Sequence, residues 1–540
     1  MSPELLLKHF DQIGDTPNAM PRLRRFILDL AVRGKLVEQN PEDEPAAELL
    51  KRLTGDAKFS QIETEKLPFK IPSTWLSAKA GDLINMQYGK SLVAKDRKDK
   101  GSVSVYGSNG IVGYCDTALT EEPAIIIGRK GSAGALNLCN RPSWTTDVAY
   151  YLIPPSFFNI RFLLIVLQTL DLGRLGKGVK PGLNRTEAYQ LPIVLPPLAE
   201  QHRIVTKVDE LMALCDELEA AHTKRERRRD RLVAATLHGL NNGETDFKAK
   251  EQFPFEESAR FYFSHLPRLT TRPEHIQQLR QTIINLAVRG KLVEQNPEDE
   301  PAEDLLKRIA EEKKRRFGGS DKKTQTIDED QIPFAIPDNW QWTQIAQIGV
   351  INPRNDAEDS TDASFVPMPL IFAEYGRANQ QEVRPWSEIK KGFTHFAEGD
   401  VGLAKITPCF ENRKSTIFRN LTCGIGAGTT ELHIVRPVFV IPDYILIFLK
   451  SPYFIETGIP KMTGTAGQKR VPKDYFAFSP FPLPPLAEQH RIVAKVDELM
   501  TLCDELETRI TSISITRRQL LETTLHEALN GSEQLHTHVS

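Results

Sequence analysis

The chain is written twice. The string LAVRGKLVEQNPEDEPA occupies Leu30–Ala46 and returns letter for letter at Leu286–Ala302, an offset of 256. A second string, LPPLAEQHRIVTKVDELMALCDELE at Leu195–Glu219, returns at Leu483–Glu507 with two changes and an offset of 288. A fainter echo pairs Leu67-Pro68-Phe69 and Trp75 with Ile332-Pro333-Phe334 and Trp340. Between the strings lie two blocks, 65–194 and 330–482, without evident similarity in sequence. Repetition at a fixed spacing dictates architecture before any local propensity does. Near-identical frames around unlike inserts mark a duplication whose inserts alone diverged, because mere filler would have drifted throughout.

The second string predicts a long helix. Pro196-Pro197 precede it, and proline is tolerated at a first turn but not inside a helix. No proline follows before Asn241, and the first glycine is Gly239. Ile204, Val208, Leu211, Cys215 and Leu218 step by four and three, as do Ile492, Val496, Leu499, Cys503 and Leu506. That is an a/d seam, and about 42 residues at 1.5 Å make a rod of roughly 60 Å. The simplest expectation buries the two seams against each other as an antiparallel pair. The first string is also helical through Leu30 and Val32, breaks at Gly34, and restarts after Pro41 and Pro45 with Glu48, Leu49 and Leu50. Between the halves, 241–267 is mixed and ends in an aromatic cluster (Phe253, Phe255, Phe261, Tyr262, Phe263), and Glu311–Asp330 reads as a flexible charged linker. The basic run Lys224–Arg231 reads as a solvated helix face.

The inserts read as short strands and turns, each ending in a helical apolar run (Arg161–Leu170 and Tyr444–Leu449). Strands are expected at Ser102–Tyr106, Ala124–Ile127, Phe365-Val366, Val401–Ile406 and Glu431–Val435. Gly107–Gly110 and Gly128–Gly134 supply turns. The expected fold class is therefore α+β: two mixed modules separated by two long antiparallel helices with internal pseudo-two-fold symmetry. The boundaries are 1–64 (helical), 65–194 (first module), 195–245 (long helix), 246–329 (second helical region and linker), 330–482 (second module) and 483–540 (second long helix).

Several fragments tempt a catalytic reading, and each fails on its own chemistry. Gly89-Lys90-Ser91 resembles the tail of a phosphate-binding loop, but the position needing the first glycine is Ile84. Gly128–Gly134 lacks dinucleotide spacing. Asn352-Pro353-Arg354 lacks the second proline and stacking aromatic of an amino-methyltransferase motif, and Asp400 with Lys405 reads as a solvated strand end rather than a nuclease pair. The 12 histidines form no metal-binding spacing, and the six cysteines contain no Cys-x-x-Cys pair. Neither a catalytic residue nor a metal site is expected, and the cysteine usage suggests a reducing cytoplasm. No signal sequence or membrane-spanning apolar run is seen.

What remains is recognition. A formal net charge of −2 excludes a bulk polycation, so any nucleic-acid surface must be local. Between Leu53 and Val194 basic residues outnumber acidic ones, whereas between Ile332 and Pro482 they balance. Basic residues beside glycine turns suit phosphate contacts, and neighbouring amides can read base edges. The DNA-binding candidates are Arg129, Lys130, Lys180 and Arg185 in the first module, and Lys405, Arg413, Lys414, Lys469 and Arg470 in the second.

The motif PPLAEQHRIVxKVDELM after each insert, and AVRGKLVEQNPEDEPAxxLL before each, resemble the conserved regions of type I restriction-modification specificity subunits, over nearly the whole chain. VYGSNGIVGY, IIIGRKGSAGAL and WTTDVAYY look like one class of target-recognition domain. FVPM, KGFTHFAEGDVGLAKITPCFENRKS and GAGTTELHIVRP look like another, with Asn412-Arg413-Lys414 where Asn-Gly-Lys is usual. The resemblance implies two target-recognition domains held apart by a helical ruler, reading a bipartite, asymmetric site in double-stranded DNA. It implies as partners two modification subunits, using S-adenosylmethionine to methylate adenine, and restriction subunits that cleave DNA using ATP and Mg. No cofactor is expected in this chain, which would be a non-catalytic subunit. The rival reading is a coiled-coil scaffold whose modules bind protein.

Overall fold

A computed structural model describes residues 18–55, 67–177, 182–242, 255–318, 332–465 and 467–530, with positions 16, 62 and 327 singly. They fall into two compact units: residues 1–225 with 514–540, and residues 226–513. Each unit contains one copy of the same joint.

In the first unit, helix Ala19–Val32 ends at Gly34, whose φ of +67° turns the chain into the left-handed region. A Cβ there would sit 2.5 Å from Pro72 Cγ, so glycine is required both by conformation and by close approach. The chain then meets the start of the long helix Leu198–Asn242. Glu200, 1% exposed, accepts from Trp75 Nε1 at 2.9 Å with one oxygen and from Gln39 Nε2 at 2.6 Å with the other. One turn on, Arg203 forks onto Asp43. Gln201 accepts from the Asn159 backbone N–H and donates to the carbonyls of Phe157 and Pro196, locking the helix Ile160–Thr169 of the module to the frame.

The second unit repeats this joint closely. Gly290 turns at φ +69° against Pro337. Glu488 accepts from Trp340 at 2.9 Å and Gln295 at 2.6 Å, Arg491 forks onto Asp299, and Gln489 accepts from the Ile441 N–H. The residues that the two strings contribute to this joint are identical in both copies.

The seams are buried, but not as a seam-to-seam pair. Ile204, Val208 and Cys215, flanked by Leu211 and Leu218, pack in one core with Leu23, Ile27 and Ala31 of helix Ala19–Val32 and with Leu521 of the second long helix, Leu486–Asn530. Arg24 fixes the register, reaching Asp216 at 2.6 Å and Glu219 at 2.7 Å, and Lys35 Nζ donates to the Leu529 carbonyl. In the second unit Ile492, Val496 and Cys503, with Leu499 and Leu506 beside them, pack with Leu279 and Ile283 of helix Pro273–Val288 and with Val233, Leu237 and Leu240. There Arg280 reaches Asp504 and Glu507, the counterparts of Asp216 and Glu219. Each unit thus builds a three-helix core. A seam shows which face of a helix is buried, and here a shorter amphipathic helix supplies the other side.

The inserts are unlike in sequence yet share a topology. The first holds an antiparallel sheet in the order Gln87–Tyr88, Ala149–Leu152, Ala124–Gly128, Leu136–Cys139. The second holds Gly349–Ile351, Leu432–Pro437, Val401–Ala404, Ser415–Ile417 in the same order and sense. The apolar runs are helices Ile160–Thr169 and Pro442–Lys450. A second small sheet in each module contains one parallel pairing, Val103–Gly107 with Ser143–Thr145 and Asp362–Val366 with Ile425–Gly428. Each module is tied at its neck by an antiparallel pair where the chain comes in and leaves, Leu76↔Leu195 through Lys79↔Pro192 in the first and Gln341↔Leu483 through Gln344↔Pro480 in the second.

Three local expectations change. Glu311–Phe317 is not linker but the end of helix Ala302–Phe317, where Glu312 pairs with Arg315 and Arg316 and Lys313 donates to the Ala346 carbonyl at 2.6 Å. Most of the remaining stretch lies outside the described residues, as does Phe253. Residues 255–269 form a helix that buries Tyr262 and leaves Phe261 and Phe263 exposed. Within Lys224–Arg231, Arg229 pairs with Glu226, and Asp230 bonds Arg272 and His275, so the run is not merely solvated. No described helix is long and apolar enough to cross a membrane.

Replacing Glu200 by Leu leaves the buried Trp75 indole N–H without an acceptor, which costs about 1–3 kcal/mol. The urea midpoint of the first unit should fall accordingly. Adding Trp75→Phe should restore part of the loss, since removing both partners of a buried hydrogen bond costs less than removing one.

Candidate nucleic-acid interface

In both modules the central strand carries its cations to one place. The strand Ala124–Gly128 is wholly buried and hands the chain to Arg129 and Lys130. Gly128 sits where a Cβ would lie 2.1 Å from the Ser132 carbonyl and 2.4 Å from that of Ser108, so the turn and the tip of the 103–115 hairpin touch. Arg129 N and Lys130 N both donate to the Val148 carbonyl, and Leu183 N donates to the Arg129 carbonyl at 2.8 Å. Lys130 also bridges Gly182. These bonds place Arg129 and Lys130 beside Arg185, which begins a short helix capped by Asn184. Lys180 lies outside the described residues.

Two tyrosines that the sequence did not single out organise this cluster. Tyr88, half exposed, lies under both guanidinium groups, with Arg185 4.7 Å and Arg129 5.3 Å from its ring centre. Tyr150 stands edge-on to Tyr88 at 5.0 Å, and burial raises its hydroxyl pKa above the usual phenol value. Arg185 Nη1 donates to the Met86 carbonyl at 2.9 Å. Tyr88 immediately precedes Gly89-Lys90-Ser91. A Cβ on Gly89 would fall 2.1 Å from the Thr146 carbonyl, so this glycine serves strand packing, not phosphate binding.

The second module repeats the plan. After the strand Val401–Ala404, Lys405 N donates to the Glu431 carbonyl and Val471 N to the Lys405 carbonyl, while Thr407 N donates to the carbonyl of Lys469. Lys405, Lys469 and Arg470 therefore share one surface. Arg470, however, is already committed: Nε and Nη2 fork onto Glu431 at 2.9 and 2.8 Å, and the guanidinium holds that carboxyl below its ordinary pKa. Buried His433 donates from Nε2 to the Val471 carbonyl and stacks on Phe476, tying strand to loop, with desolvation pushing its pKa down to about 4.

Arg413 and Lys414 close the neighbouring turn, where Ala404 N donates to the Lys414 carbonyl. Arg413 takes φ +57°, a left-handed conformation disfavoured for a side-chain-bearing residue. Its Nε is buried without a partner, and desolvation lowers the guanidinium pKa. Beneath it, the 2%-exposed Lys450 donates from Nζ to the carbonyls of Ala373 at 2.8 Å and Arg413 at 3.1 Å. Asp400 is not a solvated strand end. It is 1% exposed, forked by Arg436 and accepting from Ala397 N, and burial still raises its carboxyl. Among the described residues no group of three or more His, Cys, Asp or Glu is placed to hold a metal.

Residues 72–226, the first module with part of its following helix, match the family model of the type I restriction modification DNA specificity domain. The chain is 49% identical over 257 residues to the type I restriction enzyme EcoAI specificity subunit of Escherichia coli, covering 46% of this chain and 44% of that protein. It is 48% identical over 268 residues to the EcoEI specificity subunit of Escherichia coli, covering 48% and 45%. The chain thus spans somewhat under half the length of these two relatives. A crystal structure of the HsdS subunit from Thermoanaerobacter tengcongensis aligns at 16% identity with a TM-score of 0.39, over 87% of this chain and 100% of that one.

Burial pushes the Lys450 ammonium down to about 7, partly offset by Glu374 and reinforced by Arg413. The unfolded chain holds that proton up to about 10.4, so between these values the unfolded state binds more protons. Stability of the second unit should therefore rise with pH across this window, by at most about 1.4 kcal/mol per pH unit from this group. Urea midpoints at pH 7 and 9.5 should show the rise, and Lys450→Met should flatten it.

Proposed function

We propose that this chain is a type I restriction-modification DNA specificity subunit that recognises a bipartite and asymmetric DNA sequence, one half through each module. The observation that carries this reading is the duplicated joint around unlike inserts. Two copies of one frame present two modules of one topology, each delivering cations from the same central strand to the same neighbouring loop. Their sequences differ at the residues so delivered, which is what two different half-sites require.

Under this reading the chain supplies recognition and assembly and leaves chemistry to its partners. Two modification subunits would bring S-adenosylmethionine and methylate adenine, and restriction subunits would bring ATP, Mg and strand cleavage. The joints and three-helix cores, being the duplicated parts, are where like partners would find like surfaces. Lys130, Lys405 and Lys469 suit phosphate contacts. Arg413 and Lys414, on a turn fixed from below, suit the second half-site, and Lys180 remains a candidate of the first.

The methylated-adenine motif in DNA from cells expressing the whole system should be two unlike elements with an unread gap. A continuous or perfectly palindromic motif would sink the proposal. The purified chain supplied with S-adenosylmethionine should transfer no methyl group to DNA. Arg413→Ala with Lys414→Ala should relax specificity in one half-site only, read as binding to single-base variants of both. Binding lost evenly on every sequence would make them phosphate contacts.

A further inference from the structure

Arginines in a folded protein usually spend their donors on carbonyls and carboxylates, and the neighbours of Arg129 do so. Arg185 gives Nη1 to the Met86 carbonyl, and in the second module Arg470 forks onto Glu431. Arg129 differs. Among the described residues its guanidinium makes no hydrogen bond or ion pair, and its Nε is buried without a partner. It is nevertheless held firmly. Its backbone N–H is tied to the Val148 carbonyl at 2.9 Å and its carbonyl to Leu183 N at 2.8 Å. Its guanidinium carbon lies 5.3 Å from the ring centre of Tyr88 and 6.0 Å from that of Tyr150. Stacking on an aromatic ring restricts the side chain without consuming any N–H. The result is a planar fork of donors, held and unspent, partly exposed beside a half-exposed tyrosine.

A fork of that kind selects a ligand with two adjacent in-plane acceptors. Along the major-groove edges of DNA that pattern belongs to guanine, whose N7 and O6 both accept, whereas adenine offers one acceptor and one donor. A phosphate also accepts two bonds, but exposed Lys130 already stands next in the chain for a phosphate. A phosphate contact also needs neither the aromatic floor nor the pinned backbone.

We infer that Arg129 is the guanine-reading residue of the first module, that Tyr88 is the platform setting its plane, and that Arg185 is a positioning residue bracing Tyr88. This rests on the reading that the module binds DNA.

The test uses the full chain, co-purified with its modification subunits, and duplexes carrying its methylation motif. Each guanine is replaced singly by 7-deazaguanine, which lacks the N7 acceptor. At one guanine the unaltered complex should lose roughly five- to 150-fold in affinity. Arg129→Ala should lose a similar amount on normal DNA and become indifferent to the modified base at that position alone. Unchanged discrimination in the other half-site shows that the variant is folded. Arg185→Ala and Tyr88→Leu should weaken binding while remaining sensitive at the same guanine, as positioning groups do. Three results would overturn the assignment: Arg129→Ala weakening binding evenly on all sequences with its sensitivity to 7-deazaguanine intact, coupling to guanines in both half-sites, or a half-site without any G·C pair. An unaltered complex with no sequence preference at all would overturn the proposed function instead.

Discussion

Everything in this molecule hangs on a buried carboxylate that appears twice. Glu200 and Glu488 sit at the first turn of the long helices, nearly devoid of solvent, each accepting from an indole and an amide. A buried carboxylate is expensive unless its lone pairs are satisfied, and satisfying it brings together three distant pieces of chain. The glutamine comes from the string before the module, the tryptophan from its threshold and the glutamate from the helix after it. Beside it, Asp43 with Arg203 and Asp299 with Arg491 repeat the same long-range tie. Residues separated by a whole module are thereby fixed to one another, and the module is held by what lies outside it.

That arrangement explains which letters could drift. The positions making the joint are identical in both copies: Gly34 has no room for a Cβ, and Gln39, Asp43, Glu200, Gln201 and Arg203 each bond a partner distant in the chain. The inserts need only keep a buried strand order and a neck, so their loops were free to diverge. Topology survived where sequence similarity did not.

The frame was legible from sequence because repetition exposes it directly: the helices, the break at Gly34 and the burial of both seams follow from spacing alone. The partner of each seam was not legible, since periodicity marks a face without saying what covers it. The α+β character of the modules and five of their longer strands could be read from apolar runs; the remaining, mostly two- to four-residue strands could not. The chemistry of their cations could not. Arg470 is neutralised by Glu431, far away in the chain, and Asp400 is buried by Arg436 through sheet pairing. Arg129 and Arg185 are organised by Tyr88, which reaches them only after folding. Charge clusters mark where a binding surface can lie, but which cations remain unspent is a property of the tertiary structure.

The neck pairing has a consequence for chain length. Because Leu76 lies opposite Leu195 and Gln341 opposite Leu483, each module begins and ends with its two chain ends held side by side. For a closed segment the entropic cost grows with the logarithm of its length, so even a doubling adds only about 0.6 kcal/mol. The second copy is the longer of the two, its offsets growing from 256 to 288 between the strings that flank the insert. At so small a closure penalty, loops can be lengthened, shortened or exchanged while both ends stay anchored in the same place, and the frame registers no difference.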